Sequence, residues 1–449
     1  MHSAHPATSP LAVPRTVRED RLPRQLGIWS AAAASVGLTI GSGIFRVPSI
    51  VIAETGSVGA AALCWILGGI ITLCGALTIA ELAAAFPRAG SLYVYLREAY
   101  GPMTAFLFGW SWIFIRAAAS AGTALVFAGY LRTFIPLDDS QQRVAAVLVI
   151  LVVGAANYRS LRLGALIQNA STVAKVAALL ILSGVIFAFG DGSAGALADP
   201  LDFRVTDIGG FGVGLIAALF AFDGWQAATF MGGEIRDPGR VLPRALVSAT
   251  LVIITVYLVA NAAYMYALPL DAAAVSTTIA VDAMTVAVGA GGAAAIAALV
   301  LLSTFGGLNA GLLTGSRVYY AMAEDKLFFR AVAAVHPRYQ TPHVAVAMLG
   351  VLSAISASVR TFEQLAETFV LLFYPFIALS VAAVFILRRT RPELVRPYRT
   401  WGYPVIPAIF LIGTLAMLGN AVVQRTDAVL LSLAIVAVGV PAYFIWRRK

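Results

Sequence analysis

The residues of this chain whose types and spacing could do chemistry gather in two short stretches and at one lysine. The first stretch, 38-LTIGSGIFRVPS-49, sets Gly41, Ser42 and Gly43 inside an apolar run and follows them with Pro48. Each glycine weakens a helix by ~1 kcal/mol relative to alanine and admits backbone angles that other residues avoid. Pro48 adds to the interruption, because it has no amide proton and crowds the carbonyl four residues back, that of Ile44. Amides that open the second half-helix, near Ser42 to Ile44, can hold a carboxylate with help from the helix dipole, and carbonyls that close the first half can hold an ammonium group. The second stretch, 220-FAFDGW-225, places the acid Asp223 beside Gly224 in another apolar run. The lysine is Lys175, twelfth in the apolar run 164–189.

The elements that must position these groups follow from composition. A chain of 449 residues that is 60% hydrophobic and 12% charged, with mean hydropathy +0.87, is a membrane protein and not a water-soluble globule. Crossing ~30 Å of hydrocarbon takes ~20 mostly apolar residues. Twelve segments are expected to do so: 26–53, 58–86, 102–134, 142–157, 164–189, 208–231, 245–267, 285–315, 343–359, 365–387, 404–422 and 428–446, of which 142–157 is short. With the N-terminus inside, 23 of the 31 basic residues fall in cytoplasmic stretches. Five, including Arg132, Arg143 and Arg360, fall outside, and Arg46, Arg116 and Lys175 lie within segments. Both termini are expected in the cytoplasm, and the outer loops carry Asp138, Asp139, Asp191, Asp199, Asp202 and Asp207.

The net charge of +9 therefore reflects topology, and its spread over seven stretches gives no nucleic-acid patch. Residues 1–25 lack an apolar core and read as a disordered cytoplasmic tail, not a signal peptide. Cys64 and Cys74 share the second segment and read as small apolar fillers, and the four histidines do not cluster, so neither metal nor cofactor is expected. No nucleophile stands with a base and an orienting acid, which argues against an enzyme. The absence of GxxxxGK[ST] argues against ATP-driven transport.

Gly41 is the sixteenth residue of 26–53 and Asp223 the sixteenth of 208–231, and each segment opens a run of five. Five is odd, so the second run, 208–387, enters from the side opposite to the first, 26–189: an inverted repeat, with 404–446 as two additional helices. Proteins built this way place substrate near the midplane, between two discontinuous helices. Unwound backbone is tolerated there only where protein or a cavity meets it. An amino acid carries both charges that such a site can hold. Close helix packing is the other use of these glycines, and the matched pair favours the binding reading.

The stretches 41-GSGIFRVPS-49, 81-ELAAAFPRAGSLYVYLREAYG-101, 220-FAFDGW-225, 233-GEIRDPGRVLPRAL-246, 303-STFGGLNAGLLTGSRVYYAMAEDKLFF-329 and 391-RPELVRPYRTWGYPVIP-407 resemble the amino acid, polyamine and organocation transporter superfamily. Within it they are most similar to bacterial relatives of the L-type amino acid transporters, including serine/threonine exchangers, over about residues 24 to 420. The resemblance implies an all-α, five-plus-five inverted-repeat fold with two extra helices, in which a bundle rocks against a scaffold. It implies that Gly41, Ser42, Gly43 and Ile44 hold a substrate carboxylate while Ile40 offers a carbonyl to the ammonium group. Phe220, Ala221, Asp223 and Gly224 match the opposing unwound stretch, with Phe220 as an outer gate.

Lys175 lies too deep to snorkel, and an ion there costs at least ~2.5 kcal/mol, so a functional role is the default reading. In the resembling transporters a fifth-helix lysine takes the place of a sodium ion; by that match Lys175 ties the fifth segment to first-segment carbonyls near Gly41, as a sodium-site surrogate or a proton carrier. A fixed tether is the alternative. Asp223 either recognises a cationic or hydroxylated substrate or hydrogen-bonds the unwound backbone, with the second favoured. Arg116 matches an arginine of the L-type relatives, though Ala117 stands where a proline usually follows. Arg46 has Glu54 within reach on the same segment, and both arginines are read as ion-pairing more than recognising substrate. Glu81 and Glu234 read as inner-gate or tether residues. Lys326 replaces a usual glycine, and loop 135–141 has no cysteine for a covalent heavy-chain partner. The expectation is a secondary transporter of small neutral L-amino acids in the cytoplasmic membrane, by exchange or proton coupling. A polyamine or cationic amino-acid permease is the alternative within transport, and a non-transporting nutrient receptor the alternative outside it.

Overall fold

The computed structural model describes residues 24–88, 90–159, 161–192, 196–197, 202–324, 327–328, 332, 334, 336 and 343–447. Among them the regular elements are helical: α1 (Ile28–Thr39), α2 (Gly43–Thr55), α3 (Val58–Ala85), α4 (Leu92–Tyr100), α5 (Pro102–Leu131), α6 (Asp139–Arg159), α7 (Leu161–Phe189), α8 (Ile208–Ala221), α9 (Ala227–Phe230), α10 (Pro238–Ala267), α11 (Leu270–Val275), α12 (Ile279–Glu324), α13 (His343–Val359), α14 (Phe362–Thr390), α15 (Val405–Gln424) and α16 (Thr426–Arg447). Nine of these are long and apolar enough to cross a membrane, and α1 with α2, bent by 47° at their junction, make a tenth. Leu148, Val152, Ile181, Ile412 and Leu433 are each more than half exposed, on helices that water would leave badly solvated and lipid would not.

Several expected boundaries move. The short segment 142–157 is a helix of 21 residues starting at Asp139, so it is not short. The segment read as 245–267 begins at Pro238, where proline's missing amide costs nothing because first-turn amides have no helical partner anyway. Segment 285–315 lies within the longer α12, which Gly289 breaks near its start with φ 75°. Segments 208–231 and 343–359 hold helices of 14 and 17 residues. At a rise of about 1.5 Å per residue, α8 covers only about 21 Å of a ~30 Å core by itself. The interruption lies at residues 40–42, and Pro48, expected to add to it, does not: α2 runs through it. In its position near the start of α2, proline forfeits one bond, to Ile44, without ending the helix.

Helix α1 packs on α7 and α10, α2 on α8, and α12 on α5 and α7, so both broken helices sit inside the bundle. The entry to α1 is pinned to the exit from α9. The Gln25 and Leu26 amides donate to the Glu234 carbonyl at 2.9 and 3.0 Å, and the Arg236 amide donates to the Leu26 carbonyl at 2.9 Å. Gln25 of the expected tail 1–25 is thus held in place; residues 1–23, like Lys326 and residues 448–449, lie outside the described residues. Glu81, buried at the end of α3, accepts both guanidinium nitrogens of Arg388 at 2.9 and 2.6 Å and the amide and hydroxyl of Thr400 at 2.7 and 2.8 Å. Arg396 stands 3.5 Å away. This carboxylate fastens α3, α14 and the loop 391–404 together, which is a tether.

Candidate functional site

The break in the first span begins with a misdirected amide. Gly41 N–H donates to Thr39 O at 2.7 Å, two residues back, and so leaves the Gly37 carbonyl without its helical partner. Lys175 from α7 takes that carbonyl, Nζ to O at 3.1 Å, with the lysine only 2% exposed. The ammonium therefore does tie α7 to α1, one turn before Gly41. A residue the sequence did not single out also reaches the break: Tyr257 of α10 directs its hydroxyl at Thr39 O (2.8 Å), beside the Gly41 amide, and at Ala221 O (3.1 Å), one carbonyl from each broken helix. The amides of Ser42, Gly43 and Ile44 have no backbone acceptor among the described residues.

The second break runs from Phe222 to Gln226, between α8 and the four-residue α9. The Ser35 hydroxyl of α1 accepts from the Ala228 amide at 3.2 Å and so caps α9 from across the interface. The two breaks cross at closest approach. Gly224, at φ 111°, faces Thr39 so tightly that a Cβ would lie 2.7 Å from the Thr39 nitrogen, and a Cβ on Gly43 would lie 2.6 Å from the Ala221 Cα. The glycines thus differ in packing: Gly43 and Gly224 let the helices cross, while Gly41 meets only ordinary contacts.

Beside this crossing is a cavity of about 50 Å³. Of the expected site residues, Gly41, Ser42, Gly43, Phe220, Ala221 and Asp223 line it; Ile40, Ile44, Gly224 and Lys175 do not. The opposite wall comes from α5 and α12, including Ser120, Thr123, Gly307 and Gly311, none of which sequence reasoning marked as a site residue. Their signal was the four-residue spacing of Gly307, Gly311 and Gly315, which keeps one face of α12 bare. Ser42 Oγ lies 3.2 Å from Thr123 Oγ1, which donates to Ala119 O at 2.9 Å, so Ser42 is the donor between the two hydroxyls.

The cavity's charges compensate each other. Arg116 Nη1 is 3.8 Å from Asp223 Oδ2, and the Gln226 amide donates to Asp223 Oδ1 at 2.9 Å. Arg116 also lies over the Trp112 ring, 5.6 Å from its centroid. Phe220, in the cavity's lining, meets Phe362 and Phe369 edge-on at 5.4 and 5.3 Å. Beyond Phe362 opens a second cavity of about 220 Å³, lined by Arg46, Arg143, Arg360, Asp139 and Glu363 among others. Arg46 pairs there with Glu363 at 2.6 Å and donates to Ser276 O at 2.8 Å. Glu54, its expected partner, is bound instead by Arg425 at 2.9 Å, because the bundle brings α14 and α15, not the next turns of α2, to these two side chains.

A broken-helix pair around a small polar cavity, within an all-helical membrane bundle, is the geometry of a carrier, and comparison with known proteins agrees. The amino acid permease family model matches residues 26–440. This chain belongs to that family. The permease is 30% identical to the serine/threonine exchanger SteT of Bacillus subtilis over 435 residues, 96% of this chain and 98% of that protein. It is 30% identical to the human large neutral amino acids transporter small subunit 2, over 95% of this chain and 82% of the other. To the human b(0,+)-type amino acid transporter 1 it is 28% identical, over 95% and 88%. The permease is therefore a multi-pass membrane protein of the amino acid, polyamine and organocation superfamily, and a transporter, not an enzyme.

Proposed function

We propose that this permease carries small neutral L-amino acids across the cytoplasmic membrane by sodium-independent exchange, with both termini in the cytoplasm and the runs 26–189 and 208–387 acting as inverted repeats. The observation that carries the reading is the small cavity at the crossing of the two breaks, whose charges are already paired. At ~10–15 Å³ per water it has room for about four water-sized groups, which suits alanine or serine better than a leucine or a polyamine. Unpaired amides at Ser42 and Ile44 support carboxylate binding beside Gly41. Asp223, held by Arg116 and Gln226, has no uncompensated charge to offer a cationic substrate. Phe220, with Phe362 and Phe369, serves as the gate between the cavity and the outer vestibule. Lys175 supplies on α7 the positive charge that a sodium ion would otherwise bring to α1, and the name of the bacterial relative supports exchange.

Proton symport is the second reading, favoured by one fact: Lys175 is buried against a carbonyl and not a carboxylate, so it can lose its proton without leaving a bare anion. Uptake of labelled serine into sodium-free proteoliposomes, empty or preloaded with amino acid and at two pH values, separates the readings. Exchange requires the preload, and symport fills empty vesicles under an inward proton gradient.

A further inference from the structure

We propose that Arg116, Ser120 and Asp223 form a subsite that reads the substrate's side chain and selects a hydroxyl, which can both give and accept a hydrogen bond; the proposal rests on the amino-acid reading above. Buried hydroxyls on membrane helices ordinarily donate to the carbonyl one turn back, as Thr123 does on the same wall. Ser120 does not. Its Oγ has no partner although the residue is only 2% exposed, and among the buried side-chain atoms left without a partner, Arg116 Nε is the other that belongs to the cavity's lining. The Arg116–Asp223 pair, at 3.8 Å, is too open for a hydrogen bond, and Gln226 occupies only the Oδ1 side of the acid. Gly311 keeps this corner clear, since a Cβ there would lie 2.6 Å from Arg116 Nη2 and 3.6 Å from Ser120 Oγ.

A donor, an acceptor and an ambivalent hydroxyl thus surround one small space. A substrate hydroxyl accepts from the guanidinium and gives its proton to Asp223 Oδ2, while Ser120 adds a second bond in either sense. An aliphatic side chain leaves Ser120 Oγ and Arg116 Nε buried without a partner, and sites built to bond a hydroxyl discriminate strongly against analogues without one. A second cation meets Arg116, and an anion has to displace Asp223.

Serine and alanine differ by that hydroxyl alone, so the test is the ratio of their affinities for the purified full-length protein in nanodiscs, by calorimetric titration. The wild type is expected to bind serine at least about tenfold more tightly than alanine. Ser120→Ala should lower the ratio several-fold, and Ser120→Thr, which keeps the hydroxyl, should restore it. Equal affinities in the wild type, or an undiminished serine preference in Ser120→Ala, would overturn the subsite while leaving the amino-acid reading intact. Binding of neither amino acid would overturn both.

Discussion

Lys175 and Tyr257 both bond carbonyls at the break near Gly41: Lys175 takes Gly37 O, which has lost its helical partner, and Tyr257 joins the Gly41 amide on Thr39 O. Replacing Lys175 by alanine leaves a buried carbonyl unpaired and removes the charge proposed to stand in for sodium. Sodium-free uptake is expected to fall at least ~10-fold, with the protein still present in the membrane; unchanged kinetics and unchanged pH dependence would reduce Lys175 to a tether. Tyr257→Phe removes only a hydroxyl, but one shared by both breaks. A loss of ~1–3 kcal/mol of buried hydrogen bonding should appear as a ~10-fold slower turnover at near-normal expression. These two residues also mark how far sequence carries. A lysine in the middle of an apolar run announces itself through the cost of burying charge. Tyr257 does not, because an aromatic in an apolar helix is ordinarily packing, and its partners are contributed by segments 218 and 36 residues away.

At the level of elements, the matched interruptions in 26–53 and 208–231 were legible from Gly41 to Gly43 in one segment and from Asp223 and Gly224 at the same register in the other, whereas the function of each glycine was not. Gly43 and Gly224 let the helices cross, while Gly41 and Gly43 both line the cavity, as set by which faces of the broken helices meet. Gly224→Ala is accordingly expected to abolish uptake through steric conflict with Thr39, even though Gly224 does not line the cavity. Gly41→Ala, which meets only ordinary contacts, should leave the folded protein intact; comparing size-exclusion profiles of the two variants checks this. The Arg46–Glu363 pair joins α2 to α14 next to Phe362, which lines the same cavity. Its partner was illegible because 317 residues separate the two side chains.

For the whole molecule, stability at the end of α3 should depend on Glu81. Removing a buried partner from two arginines typically costs ~3–5 kcal/mol, so Glu81→Ala should markedly lower the melting temperature of the purified protein, and Arg388→Ala should do so less, since Thr400 still satisfies the acid. The central claim is that the bundle exchanges small neutral amino acids without sodium. Its most direct test is uptake of labelled serine into sodium-free proteoliposomes with and without unlabelled serine inside. The account predicts rapid uptake only in the preloaded vesicles, competed by alanine and not by arginine or spermidine. Equal uptake into empty vesicles, or uptake that appears only when sodium is added, would contradict it.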